Sequence, residues 1–259
     1  MYKSIVTEIV KRQKPKLLLI NASAFSYCNS NLTDEVYLRK WIDNMPMSQN
    51  KLDTVKTIPQ NINKDDEKVK DNISDTLYFP LEKYHGNWKE PEAVYTSFVT
   101  RAYMRLSGGG YLKGFYSKTG ITGGRDNLAN IGQPTKEAYM LTDECRAYLK
   151  ELLSYCNKLG IKHVLLLQPP HETQAADKSG LEQIESITRE YGYDFLDLST
   201  DYESIAGIDD SHDFADFEHL NAYGAQKLSS YIGNLVVNQY GIKSDTTGSE
   251  LSRWEKSVK

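Results

Sequence analysis

The sequence predicts an α/β fold built on a mostly parallel sheet, and three observations carry that expectation. The last third of the chain alternates helix-like and strand-like segments, as a sheet with helices on both faces requires. Residues 161–168 read as a buried strand, with a continuous apolar run at 164–167. Gly160 and Gly192 stand where the helices before the strands at 161–168 and 193–198 must stop.

At the start of the chain, Ile5, Val6, Ile9 and Val10 recur at helical spacing. Lys11, Arg12 and Lys14 suit the negative end of that helix, and Pro15 ends it. Residues 16–21 follow as a short buried strand. Thr33 is placed to cap a helix that turns Val36, Leu38, Trp41, Ile42 and Met45 inward and ends near Pro46. From 48 to 74 the composition is polar and charged, which predicts a solvated helix or a loop and no core element. Pro91 opens a helix that runs to about residue 106. The glycine-rich stretch 107–132 predicts turns and a hairpin. It lacks the strand–glycine–helix order of a nucleotide phosphate loop.

Thr142 then caps a helix with Cys145, Tyr148, Leu149, Leu152, Leu153 and Cys156 on one face. A second helix spans 181–191. A last helix runs over about 222–240, with Ala225, Leu228, Ile232, Leu235 and Val236 inward. The chain reads as one domain over 1–243, with a mid-chain insertion at about 48–132 and a frayed polar tail at 244–259.

A formal charge of -4 gives no electrostatic reason to expect nucleic acid as a partner. No segment reaches the roughly 18 apolar residues that span a bilayer. The apolar run at 17–20 is too short for a signal-peptide core, so no targeting or spanning segment is read. Cys28, Cys145 and Cys156 show no metal-ligand spacing. Cys145 and Cys156 are expected as buried small hydrophobes and not as a redox pair. No close histidine pair points to a metal, and no cofactor is expected.

Ligands of open parallel sheets bind beyond the carboxyl ends of the strands. Three segments follow the predicted strands there: 21–24, 168–171 and 213–221. In the third, Asp216 precedes His219 by three residues in a turn. A carboxylate so placed can fold back on one ring nitrogen, fix the tautomer and leave the other nitrogen as a base for a hydroxyl nucleophile. A second copy of the spacing, Asp209-x-x-His212, lies in an acidic run and is expected in a solvated loop. Asn221 is placed both as a helix N-cap and as a substrate contact. Asn21, His85, Trp88 and His171 complete the candidate substrate contacts, and His163 is expected to pack within its strand.

The block Asp216-Phe217-Glu218-His219-Leu220-Asn221-Ala222-Tyr223-Gly224-Ala225-Gln226-Lys227-Leu228 resembles the C-terminal block of the SGNH (GDSL-like) hydrolase superfamily. The resemblance is to the branch of the teichoic-acid D-alanyl transfer protein and related surface acyltransferases of Gram-positive bacteria. Tyr84-His85-Gly86-Asn87-Trp88, with Leu112-Lys113-Gly114-Phe115 beyond it, resembles a mid-chain pattern of those proteins. The lysine-proline entry to the strand at 16–20 is similar as well.

The resemblance implies a three-layer α/β/α, flavodoxin-like fold. It implies an ester hydrolase or acyltransferase acting on acylated cell-envelope polymers, glycans or small esters. His219 would be the base and Asp216 its orienting partner, and a full-length form would work outside the cytoplasm. The chain departs from the family at the nucleophile, since no Gly-Asp-Ser or Gly-Ser-Ser turn is present. Two alignments follow. If 16–20 matches the family's third strand, the serine block lies upstream of Met1. Asn21-Ala22-Ser23 then occupies the place of the oxyanion segment, and the chain is a shortened form without a complete triad. Its uncovered sheet edge is then expected to favour a homodimer. If 16–20 matches the first strand, Ser23 is the nucleophile. The alternative function is a catalytically inactive relative, a binding or accessory domain that keeps the fold without the serine.

Overall fold

The computed structural model describes residues 2–26, 39, 41–57, 77–79, 92, 95–96, 99, 120–121, 141–170, 179–216 and 219–243. Among them run helix α1 (Tyr2–Arg12), strand β1 (Leu18–Asn21), α2 (Ser23–Ser26), α3 (Gln49–Thr57) and α4 (Asp143–Lys158). Then come β2 (Val164–Gln168), α5 (Ser179–Glu190), β3 (Asp194–Asp197), α6 (Tyr202–Ala206) and α7 (Ala222–Asn238). The fold is α/β.

The three strands form one parallel sheet in the order β1-β2-β3. Leu18 pairs with Val164 and Asn21 with Leu167. On the other side, Leu165 pairs with Asp194 and Gln168 with Asp197. All five residues of β2 are buried, as its central position and continuous apolar run require. Its side chains alternate between two clusters. Val164 and Leu166 join Leu18, Ile20 and Phe195 with Val6 of α1, Leu149 and Leu153 of α4, and Ile184 of α5. Leu167 joins Leu198, Tyr202 of α6 and Phe214, with Leu228 and Ile232 of α7 packed against them.

Helix α4 forms for the expected reasons. The Thr142 side chain accepts from Cys145 N at 3.2 Å, and Cys145, Leu149, Leu152, Leu153 and Cys156 are all buried along one stripe. Gly160 at φ +70 and Gly192 at φ +78 take the left-handed conformation that ends α4 and α5. Ile161 N then bonds back to Cys156 O at 3.1 Å, and Tyr193 N to Thr188 O, also at 3.1 Å.

Several expectations change. Residues 49–57 are a helix docked on α1, not a solvated segment. Asn50 Nδ2 donates to Ser4 O at 2.9 Å and to Glu8 Oε1 at 2.8 Å, and Val55 is fully buried. Polar side chains make this contact, so hydropathy does not reveal it. Trp41 is 54% exposed while Ile42 is buried, because neighbours on a helix point about 100° apart and only one faces the core. His163 precedes β2, and its ring meets Tyr240 edge-on at 5.1 Å. Cys145, expected as a buried thiol, is disulfide-bonded. Cys156 is a free buried cysteine whose thiol burial pushes up to about 11, which leaves it unreactive at neutral pH.

The Thr33 cap, the charged stretch at 58–76, most of the glycine-rich region and the tail at 244–259 lie outside the described residues. Of the helix expected at 91–106, Glu92, Tyr95, Thr96 and Val99 are described, and all are helical. Among the described residues no helix is long and apolar enough to cross a membrane.

Candidate functional site

Helix α7 fixes which end of the sheet matters. Just beyond its C-terminus, the Tyr240 hydroxyl donates to Asp194 Oδ2 at 2.8 Å, and its ring meets His163, both at the amino ends of the strands. Its N-terminus, and the loop that leads into it, therefore lie toward the carboxyl ends.

That loop is built tightly. Phe214 and Leu220 form an antiparallel bridge, Ala215 N donates to His219 O at 2.8 Å, and Asn221 N donates to Asp213 O at 2.9 Å. Asp216 and His219 sit at the tip, with Nδ1 and Oδ1 2.7 Å apart. In a neutral imidazole this contact keeps the proton on Nδ1 and leaves the Nε2 lone pair available. The two side chains are 59% (His219) and 32% (Asp216) exposed, so Nε2 stands within reach of solvent or ligand.

Asn221 caps α7 as expected, its Oδ1 accepting from Tyr223 N at 3.0 Å and Gly224 N at 3.1 Å. Its Nδ2 donates to His212 O at 2.6 Å and also reaches Gly120 O and Phe214 O. The side chain is fully buried, with its amide oxygen and nitrogen both bonded to backbone. Gly224 allows the close approach. A Cβ there would lie 2.3 Å from Asp213 O, whereas one at Gly233 in the same helix meets nothing within 4 Å. Gly233→Ala is therefore expected to stabilise the protein by up to about 1 kcal/mol through helix propensity. Gly224→Ala is expected to destabilise it by about 1–3 kcal/mol despite the same propensity gain. Urea unfolding of the two variants checks the opposite signs.

The second Asp–His spacing resolves differently from its pattern. Asp209 Oδ1 accepts from the N–H and hydroxyl of Ser211, and His212 binds its neighbour Asp213 instead, Nδ1 to Oδ1 at 2.9 Å. His212 is not loose, since its ring also lies 4.8 Å from that of Tyr223. Asp213 is fully buried. Its Oδ2 accepts from Asp209 N at 2.8 Å and from Lys227 Nζ at 2.6 Å. Burial alone would raise its carboxyl pKa, but hydrogen bonds from Asp209 N, His212 and Lys227, with the Lys227 charge, hold it below the ordinary value. Sequence reasoning missed this hub because Lys227 is fourteen residues away and shows no pairing signal.

Ser23 is the first residue of α2, and its N–H donates to Asn21 Oδ1 at 2.9 Å. Asn21 thus closes the turn after β1 with its side-chain acceptor. The structure joins Asp216 with His219, and places Ser23 at the start of α2 after β1. His85, Trp88 and His171 lie outside the described residues. Among the described residues, no three His, Cys, Asp or Glu side chains gather as a metal site would require.

No protein-family model, no curated protein and no solved structure matches the chain.

Proposed function

We propose that this chain is an SGNH-like ester hydrolase or acyltransferase, in a three-layer α/β/α fold, acting on acylated cell-envelope polymers or glycans. The observation that carries the reading is the 2.7 Å contact between Asp216 and His219, held in a closed loop toward the carboxyl end of a parallel sheet. The resemblance of the block over 216–228 supports it.

In this reading His219 Nε2 takes the proton of the attacking hydroxyl as that oxygen bonds the ester carbonyl carbon. Asp216 holds the resulting imidazolium. The proton then passes to the departing alkoxide as the tetrahedral carbon collapses to an acyl-enzyme. Water gives hydrolysis and a glycan hydroxyl gives transfer, each deprotonated in turn by Nε2. Ser23 is the candidate nucleophile of the chain, and Asn21 Nδ2 is the candidate donor to the developing oxyanion.

The second reading is a binding or accessory domain of the same fold. The absence of a Gly-Asp-Ser or Gly-Ser-Ser turn from the sequence favours it. A short p-nitrophenyl ester separates the two. The enzyme reading predicts turnover above buffer that Ser23→Ala removes. Folded protein without turnover supports the binding domain.

A further inference from the structure

At the carboxyl end of the sheet, among the described residues, two buried polar atoms have no hydrogen-bond partner. They are Gln168 Oε1 and Ser199 Oγ, in residues only 2% and 4% exposed. Gln168 ends β2 and pairs in register with Asp197, which ends β3. Ser199 N donates to Asp197 Oδ1 at 2.8 Å, and Leu198 N donates to Gln168 O at 3.0 Å. Gln168, Asp197 and Ser199 therefore gather at the ends of two adjacent strands. The next residues along the chain supply no donor, because Pro169 and Pro170 have no backbone N–H.

A buried polar atom without a partner is unfavourable, and native proteins keep few of them. The carboxyl end of a parallel sheet is also where such folds bind ligands. We propose that Gln168 and Ser199 form a subsite for a neutral, hydroxyl-bearing ligand, a sugar or polyol. The chemistry selects that class. Gln168 Oε1 only accepts, so the ligand must present a donor. The Ser199 hydroxyl both donates and accepts, which matches a second ligand hydroxyl. An ionised carboxylate such as acetate has no proton to give Oε1. The test of this subsite does not depend on ester turnover.

The test is an NMR titration of the full chain with glycerol, glucose and N-acetylglucosamine, with acetate as the anionic control. The side-chain amide signal of Gln168, assigned by its loss in Gln168→Met, and the backbone signal of Leu198 are followed. A saturable shift with at least one of the neutral ligands and none with acetate is expected. Ser199→Ala should remove that shift at Leu198. Ser199→Ala and Gln168→Met should also each raise Tm, by about 2–4 °C, because each deletes an unpartnered polar atom. No saturable shift in the wild-type protein overturns the proposal. A lowered Tm in both variants also overturns it, since that result assigns the two atoms to ordered water only.

Discussion

Replacing Asp213 with alanine is expected to cost about 1–3 kcal/mol of folding stability, measured by urea unfolding at pH 7. The carboxylate is fully buried and ties three groups together: Asp209 N, His212 and Lys227 of α7. Its removal leaves Lys227 without its counter-charge and the N–H of Asp209 without its acceptor. The effect carries a pH signature. The folded-state pKa of Asp213 is depressed, so its contribution is present above the ordinary carboxylate value and is lost as pH falls through the depressed one. The stability gap between wild type and Asp213→Asn should therefore be full at neutral pH and narrow below about pH 4. A gap independent of pH would mean that the Asp213 charge contributes nothing to folding.

Replacing His219 with alanine is expected to lower ester turnover by about 10²–10⁴-fold, the range for loss of a positioned general base. Stability should change little, because surface side chains without buried partners move it by about 0.5 kcal/mol or less. The imidazole is 59% exposed, and its one hydrogen bond is to Asp216. Circular dichroism and urea unfolding of the same preparation separate lost chemistry from lost folding.

How much of this is legible in the sequence depends on the range of the interactions. The strands and their parallel order follow from short-range patterns: the apolar run of β2, the capping threonine before α4 and the glycines after α4 and α5. The Asp216–His219 contact is legible for the same reason, since three residues of separation in a turn bring the groups within reach. Contacts between distant polar residues are not. The Asp209-x-x-His212 spacing points to the wrong carboxylate, because the turn at Asp209 spends its side chain on Ser211 and leaves His212 to Asp213. The docking of α3 rests on Asn50 reaching Ser4 and Glu8, which a polar composition hides. The burial of Asn221 is legible as a cap but not as the anchor of residues 212–214, since one amide serves both. Cysteine spacing alone does not reveal that Cys145 is disulfide-bonded.

The central claim is that, of two Asp–His pairs on one loop, Asp216–His219 performs chemistry while His212–Asp213 holds the loop. The measurement that tests it most directly is ester turnover and urea stability in parallel for His212→Ala and His219→Ala. The account predicts that His219→Ala keeps its stability and loses turnover, while His212→Ala loses stability and keeps turnover near wild type under conditions where it is folded. Turnover that survives in His219→Ala and disappears in folded His212→Ala would contradict it and move the acid–base role to the pair with the buried carboxylate.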